Sequence, residues 1–279
     1  MMGPSTVRAG AFLHHLQLES ADPDRLSRFY ADAMNMRRET AGNGFLCSGP
    51  GRKLLVVPGA SQKLGYAGFA CREPEGVADV RARAAKADVS ILPSPSPLFE
   101  DDAFAVRDPD GNQIVFGVAK HDNDESNGMH APLQHLTLAT FDVAAIEDFY
   151  ANKLGFLVSD RVIDSKGEAA TCFMRSNHEH HTLACFKSSR QGIDHHSYEA
   201  GEWIRIRDWC DRFGAMEIPL MWGPGRHGPG NNLFVFIEDP DGNWIEVSAE
   251  LEVIYDRPVK RWPHGERTLN YWGRAILRS

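Results

Sequence analysis

Histidine is the residue to start from, because a neutral imidazole binds transition metals and its ordinary pKa lets it carry protons near pH 7. The chain's twelve histidines are unevenly spread. His135, His178, His180, His181, His195, His196 and His227 all fall in the second half, and the tryptophans lie there or in the C-terminal tail. In "LQHLTLA" His135 sits mid-strand by alternation, on the face of Leu133 and Thr137. "DHHSYE" offers His195 and His196, which point to opposite faces, so only one can enter a shared interior. In "WIEVS" Glu246 shares a face with Trp244 and Ser248. A carboxylate inside an apolar strand needs a partner or a cation. Two histidines and one carboxylate on three separate strands would form a facial triad, a donor set that binds Fe(II) and leaves positions open.

A second stretch competes for attention. "GPGRHG", Gly223 to Gly228, matches the G-x-G-x-x-G spacing of a dinucleotide loop. That loop must open a helix. Here Pro224 lies inside the run, Pro229 follows it, and "NNLFVFIE" reads as a strand. The glycines are expected to form a tight loop presenting His227 to a pocket, with Arg226 orienting the loop or a substrate.

These residues need elements to hold them, and an internal repeat supplies them. "HHLQLESADPDRLSRFYADAMNM" from His14 resembles "QHLTLATFDVAAIEDFYANKLGF" from Gln134, an offset of 120 residues. Each copy reads as a strand followed by an amphipathic helix carrying a Phe-Tyr pair. "RDPDGNQIVFG" and "EDPDGNWIEVS" close the two halves with the same turn, so Asp108 and Asp239 are expected to be structural. Second helices are expected over Gly76 to Ala87 and Trp203 to Phe213. The reading is α+β: two tandem modules of paired βαβββ repeats, each a partly open mixed β-barrel. Their bounds are 1–120 and 133–250, with a linker at 121–132 and a tail or lid at 251–279. His135 aligns with His15, Glu246 with Val115 and His196 roughly with Tyr66. The first module keeps one of three candidate ligands and is expected to serve as scaffold.

Composition narrows the partners. At 279 residues the chain can bury a sizeable core, and a net charge of −8 argues against broad binding to nucleic acid or anionic membranes. No apolar run approaches the length of a membrane span, and "MMGPSTVRAG" lacks a signal peptide's apolar core. Five scattered cysteines without C-x-x-C are expected to be free thiols in a reducing cytoplasm.

The "FY" openings, "HHTLACF", "DHHSYEA", "GPGRHGPGNN" and "DPDGNWIE", in that order, resemble the type I extradiol ring-cleaving dioxygenases of the vicinal oxygen chelate superfamily. The resemblance runs over about residues 10–250. It implies Fe(II), with Mn(II) the alternative, held by His135, His196 and Glu246. It implies a catechol and O2 as substrates and a muconic semialdehyde-type product. It further implies His181 as the acid/base, His227 beside the substrate oxygen, and a homo-oligomer, commonly a tetramer. Phe236 stands where such enzymes typically carry a tyrosine that binds the catechol, and Tyr198 or Tyr255 would have to replace that donor. Trp222 is expected in the pocket, favouring an apolar ring substituent over a carboxylate. Other members of the superfamily are non-redox metal enzymes, such as isomerases and thiol transferases, or metal-free binding proteins. The full donor set argues against both.

Overall fold

A short helix α1 (Ser5–Arg8) leads into strand β1 (Phe12–Ser20) and then helix α2 (Pro23–Ala33). The turn into α2 is built by Asp22, whose side chain accepts from Arg25 N at 3.1 Å, with proline at the first helical position. The second copy repeats the device. β9 (Leu133–Thr140) turns at Asp142, which accepts from Ala145 N at 3.0 Å and caps α4 (Val143–Glu147), and the chain winds on as a π-helix over Asp148–Leu154.

In this computed structural model, which describes residues 5–121 and 128–277, each half forms one mixed sheet. After α2 the first continues through β2 (Arg37–Ala41), β3 (Gly44–Gly49), β4 (Arg52–Pro58) and β5 (Lys63–Cys71). Helix α3 (Pro74–Lys86) follows, then β6 (Leu92–Pro93), β7 (Phe104–Arg107) and β8 (Gln113–Val118). The second continues through β10 (Leu157–Ile163), β11 (Ala169–Arg175), β12 (Leu183–Lys187) and β13 (Gly192–Glu199). It then runs through α5 (Trp203–Ala215), β14 (Trp222–Arg226), β15 (Leu233–Glu238) and β16 (Trp244–Ala249). Each sheet is a pair of βαβββ units joined at β1·β5 or β9·β13, both antiparallel. Both second helices lie close to where the sequence puts them. Half of the expected linker, residues 122–127, lies outside the described residues. The tail adds β17 (Lys260–Pro263), parallel to β10, and a short α6 (Glu266–Leu269). The five cysteines are free and four are buried. Among the described residues no helix is long and apolar enough to cross a membrane.

The repeated turns lock the halves together. Asp108 accepts from the backbone N–H groups of Asp110 and Asn112, and Asp239 does the same for Asp241 and Asn243. Gly111 and Gly242 complete the turns at φ +85° and +87°, where an L side chain would be strained. The remaining oxygen of each aspartate is reached by the tyrosine of the other module's Phe-Tyr pair: Tyr30 Oη to Asp239 Oδ2 at 2.9 Å, Tyr150 Oη to Asp108 Oδ2 at 3.0 Å.

Candidate metal centre

Strand register decides which side chains meet. Ser197 of β13 pairs with His135 of β9 on one side and with Glu246 of β16 on the other. Directly paired residues share a sheet face, and so do residues two apart on a strand. Ser197, His135, Glu246 and His195 therefore face one way, while His196 faces the other. The sequence expectation that His196 joins His135 and Glu246 is corrected here. His196 packs between the modules, its Nε2 3.0 Å from Tyr30 Oη and its ring near Tyr198. Burial holds its pKa down to about 3, so it stays neutral. The same register aligns Tyr66 with His195, not with His196. His15, Tyr66 and Val115 occupy the equivalent positions of the first module, where Tyr66 and Phe99 pack on the His15 ring.

His135, His195 and Glu246 are all buried, and their donor atoms converge. Glu246 Oε2 lies 3.1 Å from His135 Nε2 and 3.5 Å from His195 Nε2, and the two nitrogens are 3.4 Å apart. Three cis donors at metal–ligand distances of about 2.1 Å are about 3 Å apart, so this triangle fits a metal ion with one octahedral face covered. The outer nitrogens support the fit. His135 Nδ1 is 2.5 Å from Gln134 Oε1 and His195 Nδ1 is 2.7 Å from Asp194 Oδ2, which turns both Nε2 atoms inward. Asn232 Nδ2 donates to the other Glu246 oxygen at 3.2 Å. Electrostatics follow from burial and contact. Desolvation opposes the Glu246 charge, but the surrounding imidazoles, His135 foremost, hold its carboxyl well below the usual range. Desolvation works against protonation of His195 as well, yet hydrogen bonds to Asp194 and Glu246 raise its pKa. His135 is held down by burial, partly offset by Glu246.

Above the triangle lies a cavity whose walls include Thr137, Phe173, Phe186, Trp222 and Phe236. Three further histidines line it, His181, His227 and His264. The His181 ring is 4.3 Å from that of His135, and its pKa lies well below the ordinary value through burial and the neighbouring histidines. His227 Nε2 is 3.7 Å from Glu246 Oε1, and its Nδ1–H donates to Leu269 O at 2.5 Å. Trp222 stacks on Phe236, whose edge meets the His195 ring. No lysine or arginine is among the described lining residues.

The glycines of "GPGRHG" permit close approach. A Cβ on Gly223, at φ +97°, would lie 2.6 Å from Phe234 O, and one on Gly228 would lie 2.7 Å from Thr268 O. The loop thus packs against β15 and the tail. Arg226 is a loop holder, not a pocket residue: it bonds Asn231 O and Glu250 at 2.7 Å each. Tyr198 lies on the His196 face and Tyr255 is 79% exposed against His178, so neither reaches the cavity. No tyrosine is among the described lining residues to take the place of the donor absent at Phe236. The tail supplies what sequence reasoning missed. His264, Leu269 and Ile276 close the cavity, and backbone bonds from Gly228 N to Thr268 O and from Tyr271 N to Arg226 O dock the tail on the loop. The sequence marks residues 251–279 as a tail or lid without showing which of them reach the cavity.

The profile of the "Glyoxalase/Bleomycin resistance protein/Dioxygenase superfamily" matches residues 12–116 and 133–247. The chain is 26% identical over 242 residues to "Metapyrocatechase 2" of Cupriavidus necator, covering 77% of this chain and 73% of that protein. It is 25% identical over 246 residues to an "Iron-dependent extradiol dioxygenase" of Rhodococcus jostii (strain RHA1), covering 79% and 81%. Homoprotocatechuate 2,3-dioxygenase of Arthrobacter globiformis shares the fold, with a TM-score of 0.84 at 23% identity over 98% of this chain and 90% of that one.

Proposed function

The chain belongs to the Glyoxalase/Bleomycin resistance protein/Dioxygenase superfamily, and from that premise we propose that it is an extradiol dioxygenase opening a catechol ring with O2. The observation that carries this reading is one buried triangle of two imidazoles and a carboxylate beneath a pocket that also holds His181 and His227. The names of its relatives favour ring cleavage over a non-redox metal enzyme or a metal-free binder. In this reading His135, His195 and Glu246 hold iron(II), with manganese(II) the alternative. When bound, such a cation lowers the pKa of a catechol hydroxyl and brings O2 and the ring together at one centre.

The chain's own residues do the rest. Gln134 and Asp194 fix both imidazole rings so that Nε2 points inward, and Asn232 orients Glu246. Trp222, Phe236 and Phe173 hold an aromatic ring and exclude water. His181, kept neutral by burial, takes a proton at its pocket-facing nitrogen from the substrate hydroxyl and returns it during ring opening. His227, anchored through Nδ1, presents Nε2 beside the reacting oxygens. Aromatic walls with no lysine or arginine among the described lining residues fit a catechol bearing an uncharged substituent. The enzyme is proposed to work as a cytoplasmic homo-oligomer, a tetramer by its family, which gel filtration would test. The reading itself is tested by oxygen uptake and formation of a yellow product across a panel of catechols with added Fe(II). Absence of uptake on every member would overturn it.

A further inference from the structure

Behind His181, on the side away from the cavity, lies a buried polar chain that the pocket does not explain. His181 Nδ1 is 2.9 Å from His180 Nδ1, and His180 Nε2 is 3.0 Å from Asp160 Oδ2, although its N–H is bent off the line to that oxygen. Asp160 and His180 are fully buried. Among the described residues the other hydrogen bonds to the Asp160 side chain come from the tail. Arg257 Nη1 donates to Oδ1 at 2.8 Å, Lys260 N to Oδ1 at 3.2 Å, and Trp262 Nε1 to Oδ2 at 2.8 Å.

We propose that Asp160 and His180 are positioning residues that set the tautomer of His181, so that its pocket-facing Nε2 carries a lone pair for the substrate hydroxyl. The proposal rests on the dioxygenase reading for its purpose and on hydrogen-bond logic for its content. A carboxylate beside Arg257 can only accept, so His180 must present N–H at Nε2. Asp160 shares the counter-ion Arg257 with Glu252, and burying a second cation beside it would be costly. A His180 with its one proton at Nε2 carries the lone pair at Nδ1, and the facing Nδ1 of His181 is then the donor. That leaves Nε2 of His181 as an acceptor toward the cavity. Because Arg257 and Trp262 hold Asp160, docking of the tail and orientation of His181 are one structure.

The test is the nitrogen NMR of histidine in the full-length protein without added metal, alongside steady-state kinetics. His181 is expected as the Nδ1–H tautomer in the wild type. His180→Asn, which keeps an acceptor near the lost Nδ1, should preserve that tautomer and hold kcat within about 3-fold. His180→Leu should lose the tautomer bias and about 10- to 100-fold in kcat, with little change in KM. A wild-type His181 protonated at Nε2, or a His180→Leu enzyme with unchanged tautomer and kcat, would overturn the proposal. Failure of the dioxygenase reading is separable: the wild type would then consume no oxygen whatever tautomer the spectrum shows.

Discussion

Tyr30 of the first module closes the Asp239 turn of the second, its hydroxyl 2.9 Å from the carboxylate, and Tyr150 returns the same contact to Asp108. Each module's strand-to-helix motif thus completes the other's terminal hairpin. The hairpin of Asp239 leads directly into β16 and Glu246, so module packing and the metal centre share one support. Tyr30→Phe removes a buried donor from a charged acceptor. It should cost about 1–3 kcal/mol in urea unfolding and leave metal content unchanged. A variant as stable as the wild type would show that the contact contributes nothing.

His195 and His196 offer a direct comparison. His195→Ala removes one corner of the donor triangle and should abolish bound metal and oxygen uptake, as should Glu246→Ala, in folded protein. His196→Ala should keep the metal while lowering stability, because it empties a site between modules. Metal analysis and circular dichroism on the three variants decide it. Metal lost from His196→Ala but retained by His195→Ala would reverse the assignment.

The buried neutrality of His196 gives a pH signature. Its folded pKa of about 3 lies below the unfolded value, so the unfolded state binds more protons between the two. Stability is therefore unaffected above about pH 6.5 and falls as pH drops below it. By pH 5 the loss from this group is about 2 kcal/mol. His196→Gln should show a shallower acid slope in unfolding free energy between neutral pH and pH 5. Parallel slopes would remove His196 from the account.

The cavity wall predicts selectivity. With no arginine or lysine among its described lining residues, a carboxylate on the substrate would be desolvated without a permanent cation to pair with. A carboxylated catechol such as 3,4-dihydroxyphenylacetate should show kcat/KM at least about 10-fold below that of an alkyl catechol. Trp222→Arg should narrow that gap. Equal kcat/KM for both substrates in the wild type would refute the argument.

The tail should matter to chemistry as well as to closure. A chain ending before Lys260 loses the Leu269 carbonyl that anchors His227 and the Trp262 contact to Asp160. It should keep its two sheets but lose about 10-fold or more in kcat. Unchanged kcat would make the tail a passive cover.

Much was legible before any fold was known. The repeated "FY" and "DPDG" landmarks predict two modules because local turn and helix chemistry is written in adjacent residues. Alternation also shows that His195 and His196 face opposite ways and that Glu246 is a carboxylate within an apolar strand, in need of a partner or a cation. Alternation could not say which histidine of the pair turns inward. That depends on how β13 registers against β9 and β16, strands about 50 to 60 residues away, and a one-residue slip would exchange the two faces. The same limit explains Tyr198, which goes with His196, and the tail, whose contacts with the His227 loop are wholly non-local. Residue types determined that a two-histidine, one-carboxylate centre could be built. Only tertiary structure decided which histidine builds it, because strand pairing is a long-range property.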